Sequence, residues 1–117
     1  MMYRGSCHCK KILFRIETDD VYGAVYRCNC SLCKKKAITM KPIHEDSFAV
    51  LAGKEYLALY KWNKNIAEHF FCKECGVYTH HKRRRYPDQI SVNFACLDGL
   101  DLPEEKDILL ADGASHD

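Results

Sequence analysis

Seven of the eight cysteines in this chain fall in three short clusters: Cys7-His8-Cys9, Cys28-Asn29-Cys30-Ser31-Leu32-Cys33 and Cys72-Lys73-Glu74-Cys75. Cys96 stands alone. Thiolates grouped this tightly point to metal, because a tetrahedral zinc ion takes two or three sulfurs from one short loop, whereas disulfide frameworks scatter their cysteines. On an extended chain the two cysteines of a Cys-x-Cys step share a face, and a Cys-x-x-Cys turn aims both sulfurs at one centre. A disulfide joining neighbours such as Cys7 and Cys9 would be badly strained.

Counting divides the clusters. A closed structural zinc takes four protein ligands and a reactive one takes three plus water or substrate, so seven cysteines make one site of each kind. Cys28, Cys30 and Cys33 stay together as the open, catalytic site. Cys7, Cys9, Cys72 and Cys75 form the structural site, which pins the first strand to a knuckle far along the chain and closes a long loop. Gly76 suits such a knuckle, where the residue after the second ligand takes a left-handed conformation. A competing partition completes the second site with Cys96 or a histidine and leaves it inert. The expected cofactor is zinc, two ions per chain, the second of them labile because an open three-cysteine site oxidises readily.

The elements that must position these loops read as strands. Ile12, Phe14 and Ile16 alternate with Leu13, Arg15 and Glu17 in the period of a half-buried strand. Further short apolar stretches lie at Tyr22 to Tyr26, Phe48 to Leu51, Tyr56 to Tyr60, Ala67 to Phe71, Gly76 to His80 and Gln89 to Ala95. Ile90, Val92 and Phe94 share one face, and Cys96 continues that parity, which predicts a buried thiol. Ala52-Gly53-Lys54-Glu55 reads as a hairpin turn. Helical pattern is scarce, and Ser31 to Ala37 is the best candidate for a turn or two, carrying Cys33. Residues 103–117 are expected to be coil. A single mainly β domain over 1–117, with zinc-binding loops at its corners, accounts for the pattern.

Composition narrows the class. The 117 residues suit one domain with a modest core. Hydrophobic residues at 47% and charged residues at 29% exclude global disorder and fibrous architecture. No run approaches the ~18 apolar residues of a membrane span. Met1 to Ser6 offers no apolar stretch of the ~7–15 residues that a secretory leader needs before the first cysteine, so a reducing cytoplasmic location is expected. A formal charge of +2 is too small to demand a polyanion, and seven thiolates against two divalent ions lower it to −1.

Gly5-Ser6-Cys7-His8-Cys9, Cys28-Asn29-Cys30-Ser31-Leu32-Cys33-Lys34-Lys35 and Phe71-Cys72-Lys73-Glu74-Cys75-Gly76 resemble, in order and spacing, the three motifs of the glutathione-dependent formaldehyde-activating enzyme family, which includes centromere protein V. Val92 to Gly99 resembles that family's closing strand. The resemblance runs from Tyr3 to about Leu102. It implies an Mss4-like β-tent with Cys7, Cys9, Cys72 and Cys75 on a structural zinc and Cys28, Cys30 and Cys33 on a catalytic one. The implied reaction joins glutathione and formaldehyde to S-hydroxymethylglutathione, a carbon–sulfur lyase activity in reverse. Lys10 departs from the pattern, standing where the first motif has glycine, and the chain resembles a compact bacterial aldehyde-activating subgroup.

The chemistry needs positive neighbours. Three cysteinates leave zinc with a net negative charge, and a substrate thiolate adds to it. Lys34, Lys35 and Lys36 follow the last ligand and are candidates for that charge or for glutathione's carboxylates; a solvated lysine run is the plainer reading. His80 and His81 are candidate proton carriers beside the second site. His8, between two ligands, points away from the metal. His80 to Arg85, with Tyr86, is the densest basic segment, open to an anionic substrate or to nucleic acid, the latter disfavoured by the near-neutral chain. Trp62, Asn63 and Asn65 are candidates for a pocket lining. The alternative to an enzyme is a zinc-stabilised β module that binds a partner or nucleic acid without catalysis.

Overall fold

The computed structural model describes residues 1–61 and 67–113, so Trp62, Asn63 and Asn65 lie outside the described residues. Two sheets form the domain. The smaller orders β1 (Met2–Ser6), β2 (Leu13–Glu17) and β5 (Phe48–Ala52) with antiparallel pairing. The larger contains β3 (Tyr26–Cys28), β4 (Met40–His44), β6 (Leu57–Tyr60), β7 (Glu68–Cys72), β8 (Tyr78–Lys82), β9 (Gln89–Asn93) and β10 (Leu109–Ala111), in the order β10-β3-β4-β9-β8-β7-β6. One short helix, α1 (Ser31–Lys36), follows β3. Among the described residues no helix is long and apolar enough to cross a membrane. The mainly β, single-domain fold implied by the resemblance is the one observed.

The alternation in β2 works as its sequence predicts. Phe14 and Ile16 are fully buried and meet Ile43 of β4 and Val92 of β9 in a core between the sheets. Phe94 and Cys96 extend that core from a 3-10 turn after β9. Burial pushes the Cys96 thiol up to about 12, so it stays protonated and packs as a small apolar group.

Several readings are corrected. The Ala52 to Glu55 turn makes no hairpin, because β5 pairs with β2 and β6 pairs with β7, so the chain changes sheets there. Gly53 has φ +85, and a Cβ on it would lie 2.0 Å from the Lys11 carbonyl oxygen, so backbone closeness, not strand pairing, demands the glycine. Gly53→Ala is therefore expected to cost about 3 kcal/mol, the size of an overpacked and strained substitution, as a lowered urea midpoint at constant m.

The Tyr22 to Tyr26 stretch forms a turn first and enters β3 only at Tyr26. Its turn is held by Lys41, whose Nζ donates to the carbonyls of Asp20 and Gly23 at 2.7 and 2.5 Å. The segment 103–117 is not coil throughout, since Leu109–Ala111 pairs in parallel with Tyr26–Cys28. Ile108 sits in the core cluster and anchors that strand, an apolar signal that the surrounding acidic residues obscured.

Candidate metal centres

The ends of β1 and β2 bring Cys7 and Cys9 to the end of β7 and the turn after it, which carry Cys72 and Cys75. All four sulfurs are within 4.8 Å of one another. Cys9 Sγ stands 3.6 Å from Cys7 Sγ and 3.7 Å from Cys72 Sγ. Those separations match the edge, about 3.8 Å, of a tetrahedron with metal–sulfur bonds of ~2.3 Å. Backbone amides face the sulfurs, Ile12 N–H at 3.4 Å from Cys7 and Cys75 N–H at 3.5 Å from Cys72, donors that favour thiolates. Gly76 has φ +77 and donates its N–H to the Cys72 carbonyl at 2.7 Å, the left-handed knuckle expected of it. Lys10 takes φ +65 while donating to the Cys7 carbonyl, which explains why glycine suits that position in the motif. His8 is exposed.

The second centre grows from β3 and α1. Cys28 ends the strand, Cys30 caps the helix and Cys33 lies in its first turn. Their sulfurs also lie within 4.8 Å of one another, and among the described residues no further His, Cys, Asp or Glu joins the group. The competing partition, with Cys96 or a histidine as a fourth ligand, is not the arrangement observed. Cys30 Sγ accepts from Cys33 N–H at 3.3 Å and Cys28 Sγ from Cys30 N–H at 3.5 Å. A hydrogen bond from Cys33, joined by the amides of Cys30 and Gly113, holds the Cys28 thiol down to about 5 against the opposing effect of burial. The same hydrogen bond and burial push Cys33 far up. Three sulfurs this close do not all ionise without a cation among them.

Beside the triad the sheet supplies an aromatic wall. Tyr26, Met40 and Tyr78 pack with Cys33. Tyr78 Oη is 3.1 Å from His69 Nδ1, and His69 stacks on His81 with centroids 5.1 Å apart. His81 Nδ1 is buried and has no partner among the described residues. Tyr26 Oη lies 2.5 Å from Ser91 Oγ, and the Arg83 guanidinium covers the Tyr26 ring at 4.8 Å. Of the three lysines, Lys34 and Lys35 are exposed, whereas Lys36 Nζ sits 4.5 Å over the Tyr78 ring.

The paired histidines separate. Both lie inside β8, not in a basic loop, and alternation sends them to opposite faces. His81 joins the wall next to Tyr78, while His80 turns toward the other sheet, between Phe70 and Phe48 at centroid distances of 4.7 and 4.6 Å. Tyr26, His69, Tyr78 and Ser91 were missed as site residues. Their only sequence signal is polarity at alternate positions of strands that are otherwise apolar, and which face they share depends on register.

Burial lowers His80 to about 4, from an ordinary value of 6.5. The unfolded chain thus binds a proton that the folded one refuses, so this contribution to stability is intact above about pH 6.5 and is lost as pH falls through about 4. His80→Phe keeps the ring packing and is expected to reduce the acid-side slope of unfolding free energy by close to one proton, about 1.4 kcal/mol per pH unit, in urea melts across that window. The two proteins are compared at pH values at which both still hold their metal, so the difference isolates His80.

Fold and sites together define a small β domain built around two thiolate centres that could hold metal. The family model of the glutathione-dependent formaldehyde-activating enzyme matches residues 2–109, and the chain belongs to that family. A Halomonas elongata protein provisionally named as a glutathione-dependent formaldehyde-activating enzyme is 27% identical over 111 residues, covering 88% of this chain and 69% of that one. The crystal structure of a Rhodobacter sphaeroides protein superposes with a TM-score of 0.84 at 32% identity, covering 92% of this chain and 98% of the other.

Proposed function

We propose that the chain is a zinc-dependent carbon–sulfur lyase acting on the adduct of a small thiol, glutathione in the first instance, with formaldehyde or another aldehyde. The observation that carries this reading is the asymmetry of the two centres, four clustered sulfurs in one and three in the other, within a chain of this family. Cys7, Cys9, Cys72 and Cys75 hold the structural ion, and Cys28, Cys30 and Cys33 the catalytic one. Cys28, Cys30 and Cys33 would hold zinc as an electrophile, and the chemistry it would supply there is ionisation of a thiol, whose free pKa is about 8.5, or polarisation of an aldehyde oxygen.

The chain's own residues account for the rest. Tyr26, Met40 and Tyr78 shield one side of the triad from water, which strengthens every charge interaction within it. Lys36 brings a cation to the same wall and offsets the negative charge that a substrate thiolate adds. Tyr78, hydrogen-bonded to a His69 that burial keeps neutral with a pKa near 4, holds a proton at its Oη beside the centre. Glutathione's carboxylates find the cations of Lys36 and Arg83 on the rim. Lys34 and Lys35 face solvent and take a lesser part.

Exchange NMR of glutathione and formaldehyde tests the reading, since it measures adduct formation and breakdown at equilibrium. Acceleration by micromolar protein loaded with two zinc ions is expected, and its absence with the second ion in place favours the non-catalytic module.

A further inference from the structure

The strand that closes the edge of the larger sheet ends against the three-cysteine centre. β10 runs parallel to β3, with Ala111 opposite Cys28. The Ala111 carbonyl accepts the Asn29 amide at 3.1 Å, and the Asn29 side chain donates to Asp112 Oδ1 at 3.3 Å. Ala111 itself packs in the cluster that contains Tyr26, Cys28, Cys30 and Cys33. Two residues past Ala111, the Gly113 backbone lies against the Cys28 sulfur and Cys30. There is no room for a side chain there. A Cβ on Gly113 would lie 2.4 Å from Cys28 Sγ and 2.8 Å from Cys30 Cβ, and its φ is not in the left-handed region, so contact rather than backbone conformation requires glycine.

We propose that Gly113 is a positioning residue of the three-cysteine centre. The strap from Leu109 to Gly113 forms one wall of that centre, and the bare glycine backbone seats against Cys28 to hold its sulfur in place for the ion. Residues more than seventy positions apart thereby build one site, and the segment beyond the family match, which ends at residue 109, contributes to it. This inference rests on the second centre holding zinc, as proposed above.

Zinc release to a chromophoric chelator tests it. The wild-type protein should lose its two ions in two phases, the faster from the three-cysteine centre. Gly113→Val is expected to speed the faster phase at least tenfold while changing the slower one less than twofold, with Gly113→Ala in between. Leu110→Ala serves as the control, because that side chain is 84% exposed on the same strap, and it should release as wild type. A Gly113→Val protein whose faster phase is unchanged overturns the proposal, as does one in which both phases quicken equally.

Amide hydrogen exchange on the form that keeps the ion of the four-cysteine centre and has the three-cysteine centre emptied separates this from the functional reading. Protection over residues 26–30 and 109–113 should drop in Gly113→Val and persist in Leu110→Ala. If the wild type takes up a single zinc ion, the lyase reading fails and the exchange result alone decides the strap. Equal protection in Gly113→Val and wild type then refutes the seating of Gly113 on Cys28.

Discussion

Cys75→Ser abolishes cooperative folding at 25 °C, by the expected result of removing one ligand from the four-thiolate centre. Cys72 is fully buried and Cys7 nearly so, and with Ile12 they form a small buried cluster edged by the half-buried Tyr56, Leu57 and Val77. That cluster is much smaller than the core between the sheets. The centre ties the β1–β2 end of the chain to the end of β7 and the turn after it, sixty-three residues away between Cys9 and Cys72. Apparent binding free energies at structural zinc sites are about 10–16 kcal/mol, against total stabilities of about 5–15 kcal/mol for small domains. Once the ion is lost the remaining thiols take up protons, so the cross-link disappears with nothing in its place. Circular dichroism and zinc content are the measurements. The expected sample has no sharp thermal transition and less than one zinc per chain. A Cys75→Ser protein that melts as wild type with two ions bound sinks the structural assignment.

Cys30→Ser is expected to do the opposite, stopping turnover and sparing the fold. Cys30 is the N-cap of α1, and its sulfur accepts the Cys33 amide. Serine is among the best residues at that position, so the substitution keeps the helix start while removing a soft metal ligand. The main core between the sheets contains none of the three cysteines, so the melting temperature should move by only a few degrees. Zinc should fall from two ions to one. Thiol–aldehyde exchange by NMR should drop on the order of 10³-fold, since the centre's electrophile is gone. Retained activity in a folded Cys30→Ser chain carrying one zinc would place the chemistry elsewhere. The two variants thus separate folding metal from reacting metal, which neither does alone.

The three cysteine clusters, the alternation in β2 and the helix carrying Cys33 were legible because each depends on residues within one turn or one strand. The four-and-three division was legible for a related reason, that ligand number is a property of the metal and can be counted. The hairpin at Ala52 to Glu55 was misread because its sequence specifies a turn, whereas the partner of each flanking strand is set by which sheet edge is free. The tail was misread because Ile108 to Ala111 is too short to stand out among acidic neighbours, and its pairing partner lies some eighty residues earlier.

Sequence alone determined how the cysteines group and the β class, since cysteine spacing and side-chain period are local and allow few alternatives. Tertiary structure decided the surroundings of the centre. It put His81 on the aromatic wall and His80 on the opposite face, chose Lys36 over its neighbours, joined Tyr78 to His69 and seated Gly113 against Cys28. Those choices follow from strand register and sheet order, where a one-residue slip exchanges the faces of a strand, and such long-range pairing is written in no single stretch of the chain.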